Sequence, residues 1–235
     1  MEVSNVKCVL LDIEGTICGI SFVKDTLFPY ALQALPEVLQ AKWDDPDFAY
    51  YRNQFPGNVR QSPETLQAHI EDLTARDVKQ APLKNLQGYL WKTGYETGAF
   101  ATPLFADVLP QLRHWRDKGV MIAIYSSGSV FAQQLLFQYV KDPEGNAVDM
   151  RSMISRYFDT ENAGPKILDQ SYAVIANAID IRPENILFVS DNVNELVAAE
   201  AVRMKAVLAI REGNAPIPEE STCFCVKSLE DIRLR

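Results

Sequence analysis

The chain has 235 residues, 47% hydrophobic and 23% charged, with a formal net charge of −8. That length supports one large domain, or a domain carrying a smaller insertion, and the composition is that of a folded globular protein. An acidic balance argues against nucleic acid or an anionic membrane as the main partner, but a local cation can still receive a small anionic substrate.

The N-terminus, Met1-Glu2-Val3-Ser4-Asn5, lacks the basic start and apolar run of a signal peptide. No apolar stretch reaches the roughly 18 residues of a membrane span. A cytoplasmic protein is expected, with the nucleus also open in a eukaryote. The first strand is expected over Lys7 to Leu11, an unbroken apolar run.

From Cys18 to about Ala99 the pattern changes. Pro29, Pro36, Pro46, Pro56, Pro63 and Pro82 break the segment, and helix-like stretches run over Thr65 to Lys79 and Leu83 to Tyr95. The segment reads as a mostly helical insertion. After it, strand and helix alternate. Val108, Leu112 and Trp115 share a helical face that stops at Gly119, and Val120 to Tyr125 reads as the next strand. Phe131, Leu135 and Tyr139 recur at helical spacing, as do Tyr172, Ile175, Ala176 and Ile179. Arg182 to Asn185 turns the chain into a third strand, Ile186 to Val189, and Ala206 to Ile210 reads as a fourth. Continuous apolar runs of this length suit strands buried on both faces of a parallel sheet. The fold class expected is α/β: a doubly wound, mostly parallel Rossmann-like sheet built from residues 1–18 and 100–235, with a helical cap insertion over 19–99. There is no internal repeat and no low-complexity tract.

The four cysteines, Cys8, Cys18, Cys223 and Cys225, and two histidines, His69 and His114, lack the spacing of a zinc site. Reduced thiols are expected.

In an open parallel sheet, ligands bind beyond the carboxyl ends of the strands. The first strand is followed by Asp12-Ile13-Glu14-Gly15-Thr16, the second by Ser126-Ser127-Gly128-Ser129, and the third by Ser190-Asp191 with Asn192, Asn194 and Glu195 close behind. Each piece alone is ordinary turn or cap chemistry. Their shared position after buried-type strands is what points to a site. Alternation along an extended segment puts Asp12 and Glu14 on one side, where two acids repel unless a cation or shared proton intervenes. Mg²⁺ takes hard oxygen ligands and keeps waters and phosphate oxygens, which suits Asp12 and Asp191. Ser126 and Ser127 offer hydroxyl and backbone N–H donors to a phosphate at a helix N-terminus.

These motifs resemble those of the haloacid dehalogenase-like hydrolases, whose phosphatases carry Asp-x-Asp-x-Thr after the first strand. Here the pattern is Asp12-Ile13-Glu14-Gly15-Thr16, and the glutamate at the second acid position is similar to one branch, the enolase-phosphatases of methionine salvage. Further matches are Phe22-Val23-Lys24-Asp25, Leu27-Phe28-Pro29-Tyr30, Leu86-Gln87-Gly88, Tyr125 to Val130, Phe158-Asp159-Thr160 and Gly213-Asn214-Ala215. The resemblance is weakest over Trp43 to Pro82. It implies a monomer that uses Mg²⁺ to enolise and dephosphorylate a small phosphorylated diketone, 2,3-diketo-5-methylthiopentyl 1-phosphate, giving an acireductone. It further implies that Asp12 is nucleophile and metal ligand, and that Glu14 assists the metal and acts as general acid and base. Ser126, Ser127 and Lys166 would hold the phosphate, and Asp191 would complete the metal site. The base for enolisation stays open between Glu14 and cap residues. Two rivals remain: a metal-free dehalogenase, and a phospho-acceptor module without turnover.

Overall fold

The computed structural model describes residues 1–76, 78, 80–142, 144–217 and 223–235. The chain forms two compact units, residues 23–100 and residues 1–22 with 101–235. They lie a few residues from the boundaries expected at 18 and 100.

Among the described residues, 23–100 contain four α-helices, preceded by a π-helical turn over Phe22–Leu27: α1 (Phe28–Lys42), α2 (Pro46–Arg52), α3 (Pro63–Ala75) and α4 (Ala81–Glu96). A proline sits at the first or second position of each one. There its missing N–H has no intrahelical acceptor to lose, and its fixed φ is already helical. Pro36 departs from its expected role as a breaker and lies inside α1. Ser62 and Thr65 close α3 with a capping box. The helix expected to run to Lys79 ends at Ala75, and Lys79 itself lies outside the described residues. Leu35, Leu39, Leu66, Ile70, Leu86 and Leu90 form the core of this unit. Trp91 Nε1 donates to Leu27 O at 2.7 Å, which satisfies its one polar atom.

The other unit is built on a six-stranded sheet. Its strands are β1 (Cys8–Leu11), β2 (Met121–Tyr125), β3 (Arg156–Phe158), β4 (Ile186–Ser190), β5 (Lys205–Ala209) and β6 (Cys225–Val226). Their spatial order is β3-β2-β1-β4-β5-β6, and every pairing is parallel. This is a doubly wound order that reverses direction between β1 and β4. All four residues of β1 are fully buried, as are Ile122, Ala123, Ile124 and Tyr125 of β2. Each fully buried Leu or Ile contributes about 1.5–3 kcal/mol, so the sheet centre is the most costly part of the unit to disturb. Helices α5 (Val108–Asp117), α6 (Val130–Gln138), α7 (Asp169–Ile179) and α8 (Val193–Ala201) complete it. Leu112 and Trp115 on α5, and Tyr172, Ile175 and Ala176 on α7, are buried. Strands β3 and β6, of three and two residues, have no counterpart among the expected elements because they are too short to carry a period. Among the described residues no helix is long and apolar enough to cross a membrane.

A buried ion pair ties the C-terminal segment to this unit. Arg211 meets Asp107 with Nη1 on Oδ1 at 3.0 Å and Nη2 on Oδ2 at 2.8 Å. Arg211 Nε donates to Thr16 O at 3.0 Å, and Leu229 N donates to Asp107 Oδ2 at 2.6 Å. Burial works to raise the Asp107 carboxyl, but the Arg211 guanidinium and the Leu229 amide outweigh it and hold the group below its ordinary value. Asp107→Ala would leave Arg211 without its carboxylate and should lower the urea midpoint. Because the folded value is depressed, the wild-type contribution is complete above the unfolded carboxylate range and is lost as pH falls through the folded value. The midpoints of wild type and Asp107→Ala should therefore converge in acid.

Candidate active site

Asp12 leaves the carboxyl end of β1 at the reversal point of the sheet. Its N–H still pairs with Val189 O at 3.0 Å, so the strand ladder fixes its backbone. Asp12 is 5% exposed, a burial that a carboxylate tolerates only with partners. It has two: Thr16 Oγ1 donates to Oδ2 at 3.1 Å and Lys166 Nζ donates to Oδ1 at 2.5 Å. Both oxygens are therefore held.

Lys166 is 9% exposed and also contacts Glu195 Oε2 at 2.6 Å. Burial alone would lower the lysine's proton affinity, but Asp12 and then Glu195 overcome it and keep the ammonium charged. Glu195, in the first turn of α8, also accepts from Ser190 Oγ at 2.8 Å. Burial pushes its carboxyl above the ordinary range, against the pull of Lys166. The loop carrying Lys166 is fastened on three sides. Tyr125 OH donates to Gly164 O at 2.7 Å, Ser171 Oγ to Pro165 O at 2.7 Å and Tyr172 OH to Lys166 O at 2.8 Å.

Ser126 and Ser127 follow β2. Ser126 N donates to Phe158 O at 3.1 Å, and Ser126 Oγ accepts from Gly128 N at 3.2 Å. Ser126 is buried and Ser127 is half-buried. Ser129 caps α6 by accepting from Ala132 N at 3.3 Å. The loop is anchored from β3 by Asp159, whose Oδ2 accepts from Val130 N at 3.0 Å and whose Oδ1 accepts from Glu161 N and Asn162 N at 2.9 and 3.0 Å. Gln133 Nε2 donates to Gly128 O at 2.8 Å and Phe158 O at 2.9 Å.

Gly15 is where the loop after Asp12 meets the end of β4. Its φ is +73°, and a Cβ there would stand 2.2 Å from Asp191 Oδ2. Only glycine fits both the conformation and the approach. The Asp191 carboxyl is raised to about 6, first by burial and next by the charge of Asp12, with Lys166 opposing and Glu14 adding a smaller push.

Alternation was the ground for placing Glu14 beside Asp12, and it ends with the strand at Leu11. Beyond Asp12 the chain coils: Thr16 N, Ile17 N and Cys18 N all donate to Ile13 O. Among the described residues no three His, Cys, Asp or Glu side chains are grouped to hold one ion. Of the expected metal set of Asp12, Glu14 and Asp191, the structure sets Asp12 and Asp191 just beyond the ends of neighbouring strands, and Glu14 acts on Asp191 through its charge. Two carboxylate donors fit Mg²⁺, which keeps waters and phosphate oxygens in its remaining positions. The negative field at Asp191 is what such a hard cation relieves.

The sequence expectations gave no role to Glu195, Asp159, Gln133 or Asn214. A signal existed for Glu195: it stands four residues after Asp191 in the first turn of a helix, next to buried Leu196, where an acid on the inward face needs a partner.

Comparison with known proteins gives concordant results. A family model described as haloacid dehalogenase-like hydrolase matches residues 6–203. Enolase-phosphatase E1 of Neurospora crassa is 51% identical over 231 residues, covering 97% of each chain. Enolase-phosphatase E1 of Pyricularia oryzae is 50% identical over 232 residues, 97% of this chain and 99% of that one. The crystal structure of the UTR4 protein of Saccharomyces cerevisiae superposes with a TM-score of 0.85 at 43% identity, covering 95% of this chain and 98% of that one. A dehalogenase crystal structure reaches a TM-score of 0.56 at 18% identity, a likeness of fold alone. On the family model and the near full-length relatives together, the chain belongs to the haloacid dehalogenase-like hydrolases and, within them, to the enolase-phosphatase E1 family.

Proposed function

We propose that the chain is a bifunctional enolase-phosphatase of L-methionine salvage. It converts 2,3-diketo-5-methylthiopentyl 1-phosphate to the acireductone 1,2-dihydroxy-3-keto-5-methylthiopentene and phosphate. In this reading it works as a cytoplasmic monomer on a small soluble substrate. The observation that carries it is the buried Asp12 at the end of β1, held on both oxygens by Thr16 and Lys166 in a chain about half identical to enolase-phosphatases.

An Asp12 carboxylate oxygen attacks phosphorus in line, forming an aspartyl phosphate as the bond from phosphorus to the ester oxygen breaks. Glu14 protonates the departing oxygen. It then takes a proton from water as that water attacks phosphorus, releasing phosphate and restoring Asp12. Ser126 and Ser127 donate to the phosphate oxygens. Lys166 offsets the charge that grows on them and orients Asp12. Asp12 and Asp191 hold Mg²⁺, which when bound supplies Lewis-acid polarisation and charge neutralisation. For the enolisation, Glu14 is the base that the site itself offers.

Asp12→Asn should fold as wild type and lose roughly 10⁴-fold or more in phosphate release, the scale of losing a nucleophile. A phosphate assay on freshly purified protein checks this, with mass spectrometry excluding deamidation back to aspartate; wild-type turnover would remove Asp12 as nucleophile.

Product analysis with the diketone phosphate tests the two-step reading. Acireductone and phosphate should form together with Mg²⁺ and neither should form after chelation. Phosphate released from generic esters alone would reduce the assignment to a broad phosphatase.

The raised Asp191 carboxyl predicts a pH effect in the metal-free protein. A group whose folded value lies above its unfolded one stabilises fully below the unfolded value, and that stability is lost as pH rises through the folded value. Metal-free protein should lose denaturant resistance between about pH 4 and pH 7, a window running from the ordinary carboxylate range past the Asp191 value of about 6. Mg²⁺ should restore it at the upper end, as read by unfolding curves with chelator or with Mg²⁺.

A further inference from the structure

Asn214, in the segment after β5, takes no part in the phosphoryl transfer itself. Its amide nitrogen is fully committed: Nδ2 donates to Gly15 O at 3.0 Å and to Ala209 O at 3.1 Å. A side-chain amide carries two N–H bonds, and both are used by carbonyls that can only accept. That network settles which end of the amide is oxygen, since a flipped amide would set oxygen against two carbonyl oxygens.

The oxygen end is the anomaly. Asn214 Oδ1 is buried and has no hydrogen-bond partner among the described residues. A buried acceptor left unbonded is destabilising, and turning the amide to relieve it would break both bonds from Nδ2. A buried acceptor of this kind calls for a donor from a water, an ion's hydration shell or a ligand.

Its direction is known from Gly15. The point where a Gly15 Cβ would lie is 2.9 Å from Asn214 Oδ1 and 2.2 Å from Asp191 Oδ2. An amide oxygen from the segment after β5 and a carboxylate oxygen from the end of β4 thus converge at the loop that carries Asp12. When ionised, the Asp191 carboxylate can only accept, so these two oxygens cannot then bond to each other. The nearby cationic side chains are engaged elsewhere, Lys166 on Asp12 and Glu195 and Arg211 on Thr16 O and Asp107.

We infer that Asn214 is a further residue of the divalent-cation site, its Oδ1 accepting from the hydration shell of the ion held by Asp12 and Asp191. Mg²⁺ dehydrates reluctantly and keeps several waters, each a donor that needs an acceptor. Outer partners of this type fix the orientation of what the metal holds. Asn214 then serves two ends of one device. Nδ2 fixes the turn at Gly15 that brings the nucleophile loop against Asp191, and Oδ1 faces the cation. The inference rests on the Mg²⁺ reading of the Asp12 and Asp191 pair.

Calorimetric titration of MgCl₂ into the metal-free full-length chain tests it without reference to turnover. Asn214→Ala should weaken Mg²⁺ binding by about 10-fold or more, the usual effect of removing an outer-shell partner. Asn214→Asp loses both bonds from Nδ2 but keeps oxygen facing the cation, and should bind Mg²⁺ distinctly more tightly than the alanine variant. Circular dichroism checks that each variant is folded; should the alanine variant fail, Asn214→Thr, whose hydroxyl lacks the reach, replaces it under the same criteria. An alanine variant that binds as wild type does, or alanine and aspartate variants weakened alike, would overturn the inference and leave Asn214 as a tether only. A wild-type chain that takes up no Mg²⁺ would instead overturn the metal reading itself.

Discussion

The Lys166 ammonium, 2.5 Å from Asp12 and 2.6 Å from Glu195, is the contact on which the rest of the site depends. Without it, the buried carboxylates of Asp12, just past β1, and Glu195, in the first turn of α8, would repel each other. The Lys166 ammonium lies between them and holds Asp12 at one oxygen, while Thr16 holds the other. The same lysine sits 5.7 Å from the Tyr125 ring, and two tyrosines and a serine fasten its loop. So many restraints on one flexible side chain suit a fixed point charge aimed at a transferring phosphoryl group.

Sheet order determines which acids meet. Strands β1 and β4 are neighbours at the reversal point, and residues in register along them, such as Leu11 and Val189, bring Asp12 and Asp191 out together. Gly15 then permits the approach that a side chain would block. The Ser126 loop arrives from β2 on the other side of β1, secured by Asp159 at the end of β3. The site is therefore assembled from four parallel strands, and none of its groups depends on a long unsupported loop.

The segment after β5 has a different role. Arg211 and Asn214 donate to the backbone carbonyls of Thr16 and Gly15, so the turn after Asp12 is held from the far end of the chain. Asp107 joins that arrangement to α5 and to Leu229. The turn after Asp12 is thus braced by the Arg211–Asp107 ion pair as well as by its own hydrogen bonds.

Much of this was legible in the sequence, for a definite reason. Strands buried on both faces read as unbroken apolar runs, and ligands gather beyond their carboxyl ends, so Asp12, Ser126, Ser127 and Asp191 could be named from their places just after those runs. Of the prolines read as breakers in residues 23–100, Pro29, Pro46, Pro63 and Pro82 stand instead at helix starts, because a first-turn residue needs no N–H acceptor, and Pro36 lies inside α1. Lys166 entered through family resemblance, since a lysine in a Gly-Pro-Lys loop has no local mark of burial. The tertiary structure alone decided the pairings. Lys166 lies 154 positions from Asp12, Arg211 lies 104 from Asp107, and Asn214 lies 199 from Gly15. Local patterns carry period and burial, but they do not carry partners. The partner of a buried charge or amide is set by strand order and by where each loop emerges, which only the assembled sheet specifies. For the same reason the alternation expected to join Glu14 to Asp12 gave way at the strand's last residue, where the chain stopped being a strand.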